Sequence, residues 1–384
     1  MTRLWLAALC LALACACAAP ARQPRLAESA PGRDVAMRTA SGAAENREAL
    51  AGAIDRSLDY VRTREPQGRP FGDDGPDCTW AELAESLEHL RALLPRLGDD
   101  PGLLAREFDW HEVRPEPLMT GYYEPELEGS LQPHPDFPVP IHGLPASLRS
   151  VDLGRFHPRW KGQTLTCRVE DGDVLPFFTR EEIDVRGALN ATSEPIAWTR
   201  DPVDVYFLQV QGSGRLRLPD GSVRHVLYAG KNGHEYVSLG KVMIERGLIP
   251  REEMSMQRIR AWLREHPDEA QGLMNANPSY VFFRLADDGP LGAMGRTLTP
   301  MVSMATDSAF LPLGSILAVD AVLPDAGGGG ARTAFLGLAQ DRGGAIKGSR
   351  LDLFCGAGEE AEFLAGHLQE RSRVHLLLKK RNTP

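Results

Sequence analysis

The stretch LAQDRGGAIKGSRLDLFC, Leu338 to Cys355, sits across two apolar runs of strand length, Phe335–Ala339 and Leu351–Phe354. Each run carries an aspartate: Asp341 just past the first, Asp352 inside the second. The glycines between them (Gly343, Gly344, Gly348) permit a turn with positive φ and a close backbone approach. A carboxylate within an apolar strand is costly unless it is paired, hydrogen-bonded or protonated. A buried aspartate with a raised pKa is what a general acid requires at neutral pH. The residues alone leave two readings of Asp352 open: a general acid, or a residue that caps a turn or lies on a solvated strand face.

Outward from this stretch the chain reads as short strands separated by turns. Met119 onward is strand-like, with Pro- and Gly-rich turns through 133–165. Val203 to Gln211 is rich in β-formers and reads as a strand, which places Gln209 and Gln211 on one face with Ser213 on the turn after it. Pro219-Asp220-Gly221 marks a hairpin between Leu216–Leu218 and Val223–Val226. Two helices follow, one closed by Gly247 and one starting near Ser255, before Tyr280–Leu285 returns to strand. Towards the N-terminus, Leu50, Ile54, Leu58 and Val61 mark one helical face. Thr79-Trp80-Ala81-Glu82 is a capping box opening a second helix, with Leu83, Leu87, Leu90 and Leu94 as its buried stripe. Short strands with frequent turn signals favour a barrel over a parallel α/β sheet.

The net charge of −9 argues against a nucleic-acid binder, which carries a basic face. It also means that an anionic polymer must be held by local chemistry. Residues 1–19 have the form of a secretory signal, too short for a comfortable membrane span. Cys15 and Cys17 each approximate a lipobox, and the expected product is an outer-membrane lipoprotein facing the periplasm; cleavage after Ala18 or Ala19 to a soluble protein is the competing reading. Residues 20–44, rich in Ala, Arg, Pro and Ser, read as a flexible tether. Cys78, Cys167 and Cys355 suit neither a disulfide framework nor zinc, and Cys355 reads as buried and inert.

Other motifs point away from cofactors. Neither GGAIKG nor GGGGAR has the order of a phosphate loop, and Ser238 stands where a metalloprotease helix beginning at His234-Glu235 requires its second histidine. Lys347 reads as an exposed lysine. The aspartates at 307, 341 and 352 lack the local ligand spacing of a calcium loop, so no metal is expected.

MATDSAFLPLGS around Asp307, AQDRGGAIKG around Asp341 and RLDLF around Asp352 resemble the three aspartates of the 3D domain. Together with MTGYYEPELEG (119–129), YFLQVQGSGRL (206–216) and YAGKNGHEYVSLGKVMIERG (228–247), they make residues 119–356 similar to the membrane-bound lytic murein transglycosylase A family. The resemblance implies a mainly β fold with α: a double-psi β-barrel with N-terminal helices, formed by 45–125 and 281–384. A smaller β-domain, 126–280, would be inserted, leaving a substrate groove between the two.

It further implies a peptidoglycan lytic exotransglycosylase that cleaves the β-1,4 bond between N-acetylmuramic acid and N-acetylglucosamine and leaves 1,6-anhydro ends. Asp352 would be the single acid and base, supported by Asp341, with Asp307 structural. Thr120, Tyr123, Gln209, Gln211 and Ser213 would contact the glycan. Peptidoglycan strands are the expected partner, together with cell-wall synthesis proteins, and no cofactor is expected. A hydrolase on the same barrel and a non-catalytic wall-binding lipoprotein are the alternatives.

Overall fold

A computed structural model describes residues 23–72, 75–190, 193–325 and 329–381. The first correction to the sequence reading falls in the expected tether. Arg25–Ser29 forms strand β1 and Arg33–Glu45 forms helix α1, so much of 20–44 is built into the fold. Ala36, Ala40 and Ala43 lie on one buried face of α1 at helical spacing. Their small side chains read as low-complexity composition, yet they let the helix lie close on a sheet. At Gly42 of that helix a Cβ would stand 2.5 Å from the carbonyl oxygen of Ala334.

Helices α2 (Arg47–Val61) and α3 (Trp80–Leu93) follow the expected pattern, with Leu50, Ile54, Leu58 and Val61 buried on one and Leu83, Leu87 and Leu90 on the other. The capping box is formed: the Thr79 amide donates to Glu82 Oε2 at 2.8 Å, and Thr79 Oγ1 accepts from the Glu82 amide at 3.2 Å. A short helix, α4 (Leu103–Glu107), leads into β2 (Phe108–Arg114) and β3 (Leu118–Glu124). Buried Glu124 ends β3; Pro125 follows, and β4 (Glu126–Ser130) opens the second sheet at once. Glu124 is held from that sheet by the His225 ring at 2.8 Å and by an ion pair with Arg215 at 3.3 Å.

The chain then builds β5 (Val139–His142), the outlying sheet β6 (Arg149–Asp152), β7 (Thr164–Glu170) and β8 (Asp173–Pro176), helix α5 (Arg180–Asp184) and β9 (Pro195–Thr199). Here stands the second correction. Val203–Gln211 belongs to helix α6 (Pro202–Gln211), not to a strand. Asp201 caps it through the Val203 amide at 2.8 Å, Pro202 occupies the first turn, and Gly212 closes it at φ +83°. Both termini thus carry helix signals that override the β-branched interior.

Strands β10 (Ser213–Arg217) and β11 (Val223–Lys231) form the expected hairpin, with Gly221 at φ +83°. Helices α7 (Leu239–Glu245), α8 (Met256–Glu265) and α9 (Pro267–Met274) precede β12 (Val281–Ala286). The six-stranded sheet has the order β12-β11-β10-β4-β9-β5.

The remaining strands return to the first sheet: β13 (Ser303–Ala305), β14 (Ile316–Pro324), β15 (Gly330–Asp341) and β16 (Leu351–Ala357). Helix α10 (Glu359–His367), β17 (Gln369–Arg371) and β18 (Arg373–Lys379) complete it. The nine-stranded order is β1-β2-β18-β14-β15-β13-β16-β3-β17, mainly β with helices packed against it. Its apolar core is shared with α1–α3. On the other side, α8 docks on α10 through Arg260 Nη1 to Glu362 Oε1 at 3.1 Å and Gln257 Nε2 to the Glu362 carbonyl at 2.9 Å.

Candidate active site

The site is assembled by strand register. In β13, Ala305 pairs with Asp341 of β15 on one side and with Asp352 of β16 on the other. Asp352 in turn pairs with Thr120 of β3. The four residues form one row across four strands, which places the two aspartates two strands apart, about 10 Å from backbone to backbone. A bulge sets this row. Met304 pairs with Ala339 and Ala305 with Asp341, so Gln340 is skipped. The extruded Gln340 side chain is buried, donating to the Ala53 carbonyl and Ser57 Oγ of α2, both at 2.8 Å, and accepting from Ser303 Oγ at 2.5 Å.

The aspartates have unlike surroundings. Asp341 Oδ2 accepts the Tyr122 hydroxyl at 2.8 Å, and Oδ1 accepts the Ala293 amide at 2.9 Å. Burial raises the Asp341 carboxyl, and Tyr122 with the backbone N–H groups of Arg342 and Ala293 oppose the rise. Asp352 receives one hydrogen bond from the described residues, Thr120 Oγ1 to Oδ1 at 2.6 Å. Burial lifts its carboxyl to about 6, against the Thr120 bond and the Arg350 charge and with the help of Asp341. Ala305 of the row belongs to a buried cluster with Tyr122, Leu298, Ile346 and Phe354. The environments differ: Asp341 has donors on both oxygens and Asp352 has one on Oδ1, while burial raises both carboxyls.

Asp307 holds the loop between Asp341 and Asp352. Its Oδ2 accepts the Gly348 amide at 2.9 Å and its Oδ1 the Ala309 amide at 3.2 Å. Gly348, at φ +62°, turns the chain toward β16. Lys347 is exposed, and Cys355 is buried with its thiol pushed far up by burial. Among the described residues no group of three or more His, Cys, Asp and Glu side chains is gathered to hold a metal.

The expected glycan contacts are placed less evenly. Thr120 is at Asp352. Tyr123 points away from it, 3% exposed, with its hydroxyl near Arg260 and Glu362; alternation along β3 gives the aspartates Tyr122 instead. The single polar row expected of Gln209, Gln211 and Ser213 is not formed, because residues two apart on a helix point to different sides. Gln209 is buried beside Tyr280. Gln211 Oε1 instead accepts the Tyr123 amide at 3.0 Å, tying α6 to β3, and Ser213 is half-buried at the start of β10. Sequence reading overlooked Arg350 and Tyr122; Arg350 stands two residues before Asp352, a spacing that was available as a signal.

The chain is similar to known proteins over most of its length. The family model of the MltA specific insert domain matches residues 118–284, and that of the 3D domain matches 302–378. The membrane-bound lytic murein transglycosylase A of Vibrio cholerae is 34% identical over 279 residues, 71% of this chain and 68% of its own. That of Escherichia coli K12 is 35% identical over 331 residues, 79% and 83% of the two chains. The crystal structure of a membrane-bound lytic murein transglycosylase from Agrobacterium tumefaciens superimposes with a TM-score of 0.76 at 30% identity, covering 92% of this chain and 98% of that one. Escherichia coli MltA with bound chitohexaose superimposes at 0.66 and 29% identity, covering 86% and 90%. With both domain models matched and relatives 34% and 35% identical over most of the chain, the chain belongs to the membrane-bound lytic murein transglycosylase A family.

Proposed function

We propose that this protein is a lytic transglycosylase that cleaves the β-1,4 bond between N-acetylmuramic acid and N-acetylglucosamine in peptidoglycan and closes a 1,6-anhydro ring. The observation that carries the reading is the pairing of a proton-holding Asp352, raised to about 6, with a more heavily hydrogen-bonded Asp341. Protonated Asp352 gives its proton to the leaving glycosidic oxygen as the C1–O bond breaks. The C6 hydroxyl of the same muramyl sugar then bonds to C1, and the Asp352 carboxylate takes the hydroxyl proton, restoring the acid. No water is consumed. An ordinary glycosidase needs a second carboxyl to activate water or attack; an internal hydroxyl at high effective concentration replaces it. Asp341, with Tyr122 behind it, supplies negative charge for the oxocarbenium-like centre.

The chitohexaose bound to the Escherichia coli relative supports a β-1,4 amino-sugar chain as the ligand. Thr120, Gln211 and Ser213 line the approach in this reading, and Tyr123 and Gln209 hold the surrounding backbone from within. The same reading moves the expected bounds: 25–124 with 303–379 form the double-psi barrel unit, because β1 and α1 pack with the nine-stranded sheet, and 126–286 form the insert, because β12 pairs within the six-stranded sheet. It anchors the protein in the outer membrane through lipid on Cys15 or Cys17, which lie outside the described residues. Among those residues no helix is long and apolar enough to cross a membrane. Digestion of purified sacculi tests the proposal: mass spectrometry should find soluble muropeptides with anhydro ends, one water lighter than hydrolysis products. Hydrated ends alone would instead establish a hydrolase, and binding without release a wall-binding protein.

A further inference from the structure

The outlying sheet of β6, β7 and β8 has no part in the reaction above, and it joins neither the nine-stranded nor the six-stranded sheet. One face of β7 meets the body of the protein. A Cβ at Gly233 would stand 2.6 Å from the Thr166 Cβ, and the Arg168 guanidinium lies 4.3 Å from the centre of the Phe178 ring. Thr166 and Arg168 share that face by alternation along the strand. Leu165, one step out of phase with them, is 42% exposed.

The connection from β6 to β7 reads LGRFHPRWKGQ, residues 153–163, with Arg155, Arg159 and Lys161 and no acidic residue, in a chain of net charge −9. Phe156 stands among these cations at 70% exposure, the highest of the large hydrophobic side chains among the described residues. The connection is held in shape by its own hydrogen bonds. The Leu153 amide donates to the Gln163 carbonyl and the Gln163 amide to the Trp160 carbonyl, both at 2.9 Å. The Arg159 amide donates to His157 Nδ1 at 3.1 Å, and the Arg159 guanidinium lies 4.5 Å from the centre of the Trp160 ring. Among the described residues none of the three cations has a carboxylate partner, whereas neighbouring Arg168 pairs with Glu170 at 2.7 Å and Arg200 with Glu128 at 3.1 Å. A fixed loop thus keeps a phenyl ring in water and three positive charges without counter-charge, a combination that marks an interaction surface.

We propose that residues 153–163 dock on an anionic phospholipid bilayer, with Phe156 entering the boundary between headgroups and acyl chains and Arg155, Arg159 and Lys161 meeting the lipid phosphates. Aromatic rings flanked by cations suit that interface, the apolar body covered by hydrocarbon and the charge left at headgroup level. A polymer of carboxylates would satisfy the cations and leave Phe156 in water, so the exposed ring decides for lipid. The acidic residues nearby do not cancel the charge. Asp152 is engaged by the Gly154 amide at 2.9 Å, and Glu170, Asp171 and Asp173 lie at the far end of β7, about 20 Å away. This contact is distinct from lipid on Cys15 or Cys17 and independent of the reaction catalysed.

The test is partitioning of the full chain onto vesicles, with lipid titrated to half-binding. Vesicles of phosphatidylcholine alone are compared with vesicles in which roughly one lipid in three is phosphatidylglycerol. A protein of net charge −9 without an oriented basic surface is repelled by the anionic vesicles, so the sign of the preference is itself diagnostic. The full chain should prefer the anionic vesicles by roughly 10–100-fold at low salt, and the preference should fade as salt screens it. Any contribution of the N-terminal segment is common to all variants and cancels from their comparison. Arg155→Gln, Arg159→Gln and Lys161→Gln combined should abolish the preference, at roughly fivefold per cation. Phe156→Ser should weaken binding to both vesicles by roughly three- to tenfold. Coinciding unfolding midpoints and unchanged binding to lipid-free sacculi should accompany these losses. No anionic preference in the unsubstituted chain, or a preference that survived the triple substitution, would overturn the docking surface. A triple variant that lost its hold on lipid-free sacculi would also overturn it, by assigning the loop to the wall polymer.

Discussion

Thr120 Oγ1 donates to Asp352 Oδ1 at 2.6 Å across the parallel pair β3–β16, the one hydrogen bond this carboxyl receives from the described residues. A donor to a carboxylate stabilises the anion and lowers the pKa, so this bond works against the burial that lifts Asp352 to about 6. In the proposed reaction Asp352 acts first in its protonated form, so activity should fall as pH rises through about 6. Thr120→Val keeps the shape and removes the donor. The descending limb of kcat/KM should move to higher pH, by about one unit. An unmoved limb would mean that Asp352 is not the group titrating.

Asp352→Asn should lower kcat by at least about 10⁴-fold, the upper range for general acid–base catalysis, because one group serves both proton transfers. Stability should change in the opposite sense. The folded carboxyl titrates near 6 and the ordinary one at 3.8, so ionisation costs stability progressively as pH rises from 3.8 to 6 and fully above it. Asparagine removes that cost. Urea unfolding should show the variant more stable at pH 7 by about 1–3 kcal/mol, and the gain should vanish below pH 4. Retained cleavage would move the acid elsewhere.

Asp341→Asn should be milder in rate and harsher in structure. Both oxygens of Asp341 accept donors, Tyr122 on one and the Ala293 amide on the other. An amide group must turn its NH₂ against one of them, so unfolding should show a loss of about 1–3 kcal/mol. The anhydro product should persist at reduced kcat. A loss of rate equal to that of Asp352→Asn, in a folded protein, would reverse the assignment of the two aspartates.

Gln340→Ala probes the bulge. Three buried hydrogen bonds disappear, leaving Ser303 Oγ and the Ala53 carbonyl without this partner. The cost in unfolding free energy should be about 2–4 kcal/mol. If the bulge aims Asp341, kcat should fall in protein that is still folded at the assay temperature. A stability loss with unchanged kcat would make Gln340 a fold element only.

Much of this was legible where the signal was local. The capping box at Thr79, the leucine stripe of α3, the hairpin at Gly221 and the strand positions of Asp341 and Asp352 all depend on neighbours within a few residues. The α6 error was local too: β-branched residues outweighed Asp201, Pro202 and Gly212, although termini decide short helices. Alanine spacing in α1 was hidden by its composition. What no local pattern carried was Ala305, whose pairing with both aspartates depends on register among strands far apart in sequence. The choice of Tyr122 over Tyr123 follows from that register and from the alternation it imposes on β3.

One segment joins the two sheets with a single residue between strands: β3 carries Thr120, Pro125 follows Glu124, and β4 begins at Glu126. With Glu124 clasped by His225 and Arg215 of the second sheet, there is no slack at the crossing. The segment is in effect a lever, with Thr120, the hydroxyl partner of Asp352, on one arm and β4 of the second sheet on the other. The strand that touches Asp352 and the strand that opens the second sheet are thus one nearly continuous piece of chain, and neither sheet can be repositioned without the other.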